Sequence, residues 1–155
     1  MNRVLLAISL FITMIFFTHA KFAFSYNQHD LEVDFVNNTK YACTVTNSHL
    51  KYGIWQIKPL DNIKAGGKCN WDVLQIALHG PDIYVTMKCG DYSFSVRNQQ
   101  NLSALQGGNQ HSTTFNVDKH LNVTNKQIQH ASFTGQKPGI AQVTVSLKRG
   151  QYEFE

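Results

Sequence analysis

The chain reads as all-β, a single antiparallel β-sandwich of about 8–10 short strands. Three observations point there. Apolar and polar residues alternate with period two in runs such as Leu31-Glu32-Val33-Asp34-Phe35-Val36, the pattern of a strand with one buried and one wet face. Turn residues punctuate the chain at roughly eight- to twelve-residue intervals. No stretch repeats apolar residues at the helical period.

Residues 1–20 read as a secretory signal peptide, with Arg3, an apolar run from Val4 to Phe17 and the exit Thr18-His19-Ala20. Residues 21–155 then form one β-sandwich domain, secreted by way of the periplasm if the source is bacterial. Losing Arg3 lowers the formal net charge by one from +4. So mild a charge is short of the clustered basic footprint of a nucleic-acid binder. No later apolar run approaches the roughly 20 residues of a membrane-spanning helix.

After a lead-in from Phe22 to Asp30, the strand Leu31–Val36 ends at the turn Asn37-Asn38-Thr39-Lys40. Tyr41, Cys43 and Val45 share a face of the next strand. Gly53-Ile54-Trp55-Gln56-Ile57 is rich in β-formers and stops at Lys58-Pro59, because proline cannot donate to a ladder. Gly66-Gly67 turns the chain into a strand from Lys68, with Cys69, Trp71 and Val73 on one face and then Leu74, Ile76 and Leu78 on the other. That change of phase predicts a bulge near Val73. His79-Gly80-Pro81-Asp82 is a turn, and Ile83, Val85, Met87 and Cys89 line the returning strand. Gly90-Asp91 leads to Tyr92, Phe94 and Val96. Residues 98–111 are polar and aperiodic, which predicts an exposed loop. Strands follow around Phe115–Val117, Leu121–Val123, Ile128–Phe133 and Ala141–Leu147, with a short edge strand at Tyr152–Phe154.

The three cysteines, Cys43, Cys69 and Cys89, lack the two- to four-residue spacing of a zinc site, and the scattered histidines fit no metal signature; the sequence points to neither metal nor cofactor. Cys69 and Cys89 lie on the apolar phases of strands either side of the Gly80 turn, which predicts a Cys69–Cys89 disulfide with Cys43 reduced. Nucleophile elbows, zinc-protease helices and phosphate loops are absent, so no catalytic residue is assigned. The remaining signal is Lys51, Lys58, Lys64 and Lys68, offset by Asp61 and flanking Tyr52, Trp55 and Trp71. Amphipathic rings settle at the membrane interface and lysines attract anionic headgroups. The candidate lipid-binding set is therefore Lys51, Tyr52, Trp55, Lys58, Lys64 and Lys68. Ordinary packing is the competing account: Trp71 alternates with Cys69 and Val73 as a core residue does.

The run Val33-Asp34-Phe35-Val36-Asn37-Asn38-Thr39, then Tyr52-Gly53-Ile54-Trp55, Pro59, Ile63-Lys64-Ala65-Gly66-Gly67 and later a Gly80 turn, resembles the aegerolysin and actinoporin-like class over about residues 31–95. The chain is also similar to small β-rich proteins exported by Gram-negative intracellular pathogens. The resemblance implies a compact sandwich that binds membrane lipids, sometimes with a perforating partner. A non-enzymatic, toxin-like effector acting on an anionic membrane lipid or a host surface ligand is the leading function. A carbohydrate- or protein-binding sandwich and a small hydrolase assembled across strands are the alternatives. Under the leading function, Trp55→Ala lowers liposome binding at every salt concentration, and Lys58→Gln with Lys64→Gln lowers it at low salt.

Overall fold

The computed structural model describes residues 30–76, 79–101, 109–131 and 137–148. The signal segment and the Tyr152–Phe154 strand expected from the sequence lie outside them. Ten strands are present: β1 (Leu31–Asn38), β2 (Cys43–Tyr52), β3 (Ile54–Ile57), β4 (Asn62–Ile63), β5 (Lys68–Leu74), β6 (Asp82–Cys89), β7 (Tyr92–Asn101), β8 (Asn109–Phe115), β9 (Leu121–Gln129) and β10 (Gly139–Leu147). They form two five-stranded sheets, ordered β3-β5-β1-β10-β9 and β4-β2-β6-β7-β8. All pairings are antiparallel except β1 with β10, which run parallel from Leu31↔Gly139 to Asn38↔Ser146. This is the sandwich that the alternation predicts.

Inward residues of the two sheets make the core. Leu31, Val33, Phe35, Trp71, Val73, Ala141, Val143 and Val145 face Ile83, Val85, Met87, Phe94 and Val96 across it. Phe35 joins the layers, its ring centroid 6.1 Å from Trp71 and 6.4 Å from Phe94. Trp71 is fully buried, and its indole Nε1 has no hydrogen-bond partner among the described residues.

Polar residues 98–101 and 109–111 are strand, not loop: β7 runs on to Asn101 and β8 begins at Asn109. Asn98 and Gln100 point inward and are buried. Each amide is satisfied at one end, Asn98 Nδ2 donating to Ser112 Oγ and Asn125 Oδ1 and Gln100 Oε1 accepting from Gln110 Nε2, while Asn98 Oδ1 and Gln100 Nε2 have no partner among the described residues. The bulge expected near Val73 sits instead in the neighbouring β3, between Trp55 and Ile57; β5 keeps unbroken register with β1.

The disulfide expectation is corrected. Cys43 is bonded to Cys89, and Cys69 is the free thiol. β5 and β6 are consecutive in the chain but belong to different sheets, so the turn at Gly80 crosses between layers instead of closing a hairpin. Cys43 and Cys89 are direct cross-strand partners on β2 and β6, with Cα atoms 4.0 Å apart. Burial pushes the Cys69 thiol pKa up, against a backbone hydrogen bond from Leu60 that lowers it. The disulfide is consistent with an extracellular or periplasmic setting. Non-reducing peptide mapping will recover Cys43 linked to Cys89 with Cys69 open to alkylation. Because the bridge spans a sequence separation of 46, chain-entropy reasoning puts the cost of Cys43→Ala with Cys89→Ala at about 4 kcal/mol of stability in denaturant unfolding.

Candidate functional site

The site is built where the chain leaves one sheet for the other. At Gly53, between β2 and β3, φ is +115°, and a Cβ would stand 2.4 Å from Val73 Cγ1; no other residue accepts that backbone and that contact together. β3 then forms the edge of its sheet, paired only with β5. Ile54 lies opposite Leu74 and Trp55 opposite Val73, but Ile57, not Gln56, lies opposite Asp72. The extra residue matters. Strict alternation would send Trp55 and Ile57 to the same face, whereas the bulge returns Ile57 to the outer face shared with Ile54. Trp55 is half-buried and packs against the core, while Ile54 and Ile57 are 54% and 47% exposed.

Neighbouring segments expose further apolar residues. Leu60, in the crossing to β4, is 56% exposed, and Ile76, just past β5, is 43% exposed. Ile76 forms a bridge with His79, whose ring stacks on Tyr52 at 4.5 Å and 11°. Tyr52, Ile54, Ile57 and Ile76 are four of the seven large hydrophobic residues exposed among the described residues and share this edge, whereas Leu60 lies toward the other end of the open side, its backbone hydrogen-bonded to Cys69. Exposed apolar clusters of this kind mark contact surfaces.

The six residues singled out from sequence divide between two ends of the sandwich. Lys51, Tyr52 and Trp55 lie together, with Lys51 Nζ 5.5 Å from the Tyr52 ring centroid, and Lys58 follows Ile57 along the edge. Lys64 follows Ile63, which pairs with Cys43 at the far end of β2, and Lys68 pairs with Val36 near the end of β1. Across its two bulges, β2 spans six to seven ladder steps on β6 between Cys43 and Lys51, roughly 20 Å at the usual rise. The lysines adjacent in sequence therefore do not form one patch. Sequence reasoning missed Ile54, Ile57 and Ile76, because the bulge that exposes Ile57 leaves no mark in the residue pattern.

Carboxylates border the edge on the outer face of the first sheet. Burial raises the Asp72 pKa above its usual range, reinforced by nearby Asp30 and Glu32 and opposed by a backbone hydrogen bond at Val73. Burial followed by Glu32 raises that of Asp34, with Lys68 opposing. No group of three or more potential metal ligands gathers among the described residues.

No protein-family model matches the chain, and no curated protein matches it in sequence. Among solved structures, the fold is similar to that of IP-1A from Alcaligenes faecalis, with a TM-score of 0.55 and 13% identity over 77% of this chain and 91% of that one. It is also similar to the lipid binding protein Nakanori, with a TM-score of 0.58 and 9% identity over 85% of this chain and 75% of that one. At these identities the likeness is one of fold.

A raised folded-state carboxyl pKa means that the native state favours the protonated form. Stability from that source is present below the unfolded carboxyl pKa and is lost as pH rises through the folded one. Asp72→Asn will therefore raise the melting temperature at pH 7, and the difference from the parent chain will shrink as pH falls below 4. A variant less stable than the parent at pH 7 contradicts the electrostatic account.

Proposed function

We propose that this chain is an exported, non-enzymatic protein that binds membrane surfaces, and that the edge formed by Tyr52, Ile54, Ile57 and Ile76 enters the interface. One observation carries the reading: most of the exposed large apolar residues gather on that edge, with Lys51 and Lys58 beside them. Aliphatic side chains that reach past the headgroups leave water, and a tyrosine at their border suits the interfacial layer. The fold shared with the lipid binding protein Nakanori, and the aegerolysin and actinoporin-like sequence pattern, support the same reading. The disulfide suits export to an oxidising compartment, where a toxin-like effector would meet a host membrane.

Magnitudes show which attraction is the larger. Completing the burial of three half-exposed aliphatic side chains contributes roughly 1 kcal/mol each, and each lysine near an anionic surface adds about 1 kcal/mol. Asp61 and Asp72 beside the lysines offset part of the electrostatic attraction. A total of roughly 3–5 kcal/mol corresponds to reversible binding weaker than about 100 μM, set mainly by the apolar edge.

Ile54→Ser with Ile57→Ser will weaken vesicle binding in a sedimentation assay by roughly ten- to thirty-fold at every salt concentration. Lys51→Gln with Lys58→Gln will weaken it only at low ionic strength, where screening is slight. Lys64→Gln with Lys68→Gln, at the far end, will leave it unchanged. Equal losses from the two lysine pairs, or full binding by the isoleucine variant, would sink the proposal.

A further inference from the structure

We propose a second binding site, meeting the apolar edge only at Tyr52, for a phosphate monoester group on the outer face of the second sheet, with Arg97 as its anchor. Cross-strand register lays out two neighbouring rows on that face. His49, Tyr84, Arg97 and Thr113 form one row, and Tyr52, Asp82, Gln99 and His111 form the next. Asp82 is the single carboxylate in these rows. It is fully buried, and its oxygens accept hydrogen bonds from Arg97 Nε at 2.9 Å and Nη2 at 2.8 Å.

This pairing has two consequences. It neutralises the one acid that would repel an anion, and it fixes the plane of the guanidinium. Arg97 still has a third of its side chain open, 33% against 0% for Asp82, and its Nη1 edge makes no hydrogen bond among the described residues. A fork whose ordering is already complete, with free donors on its outer edge, matches the bidentate geometry of a phosphate.

The surroundings fit the same ligand. Thr113 lies directly across from Arg97, and His111 lies diagonally across the same strand pair, where side chains some 5–8 Å apart reach one group. Both are exposed and can donate to a phosphate oxygen. Beside the anchor, Tyr84 is held between the guanidinium, 5.0 Å from its ring centroid, and the His49 ring, stacked at 4.7 Å and 5°. That stack is a rigid platform along which the organic part of an ester can lie. Asp82, the one acid in the rows, is already paired, and the Lys51 ammonium lies over Tyr52 at the end of the second row, so the rows carry no uncompensated negative charge. A face that was merely sealed against water would not need a guanidinium fixed with its donors outward.

The test is a titration of isotope-labelled protein with glycerol phosphate, followed by nuclear magnetic resonance at the Arg97 Nε–H and the His111 and Thr113 amides. Saturable shifts confined to these positions are expected at millimolar ligand. Arg97→Lys leaves a cation for Asp82 but removes the outward fork, and will weaken binding roughly ten-fold. His111→Gln with Thr113→Val, which alters exposed positions only, will weaken it several-fold at an unchanged melting temperature. Ile54→Ser with Ile57→Ser will bind glycerol phosphate like the parent chain, so loss of membrane binding and loss of this site are told apart. Vesicles with and without phosphatidic acid identify the source: protection of the Thr113 amide by phosphatidic acid assigns a lipid-borne phosphate, its absence a soluble ester, and both support the site. Three results overturn it: no shift at Arg97 up to tens of millimolar, equal affinity in both site variants, or shifts produced by a neutral oligosaccharide but not by phosphate.

Discussion

The buried carboxamide of Asn37 holds one end of the sandwich together, and the chain path that creates the apolar edge depends on it. Its Nδ2 donates to the carbonyls of Tyr41, Ile63 and Lys64 at 2.8, 3.3 and 3.1 Å, and its Oδ1 accepts from the backbone N–H and the hydroxyl of Thr39 at 3.0 and 2.8 Å. A single side chain on β1 of one sheet thereby fixes β4 of the other. Removing it would orphan several buried groups at once, each at a cost of about 1–3 kcal/mol. The Asn37-Asn38-Thr39 triplet resembles a glycosylation acceptor, yet here asparagine and threonine bind each other inside the fold. With β4 anchored to that corner, the segment after β3 must cross the open side of the sandwich, and it carries Leu60 across in an exposed position.

The same crossing makes β3 a sheet edge, and edges carry unpaired backbone groups that attract other strands. Several devices limit that hazard: β3 is four residues long, bulged, and closed by Lys58-Pro59. What the bulge does to side chains matters more for function. It separates Trp55, which packs inward, from Ile57, which faces out, so the residue with the larger apolar surface stabilises the core while smaller aliphatics meet the surroundings. Asp72 opposite Ile57 then sets a limit. Desolvation at a membrane favours the neutral carboxyl, the direction in which burial already shifts its pKa.

Where burial follows a strict period, the sequence was transparent. β1 and β10 alternate without a break, and both emerged at nearly the positions that alternation predicts. Asn98 and Gln100 defeated the same logic because inward-facing amides carry no hydrophobic period; only their partners on β8 and β9 make them buried residues. Cys69 and Cys89 were mispaired for a topological reason, since neighbouring strands in sequence that enter different layers cannot be told from a hairpin by spacing. Lys64 and Lys68 were grouped with Lys51 through proximity in sequence, which a long β2 converts into separation in space. Tyr52 and Lys51 lie beside the exposed isoleucines of β3, which needed the register of that strand to become visible.

The central claim is that one edge of the sandwich, and not its far end, faces the bilayer. Spin labels attached to single cysteines in place of Ile57 and of Lys64, in a Cys69→Ser background, report depth through their accessibility to oxygen and to a polar relaxing agent on vesicles. The account predicts that the label at position 57 enters the acyl boundary, oxygen-accessible and shielded from the polar agent, while the label at 64 stays in water. Equal immersion at the two positions, or immersion at 64 alone, would contradict it.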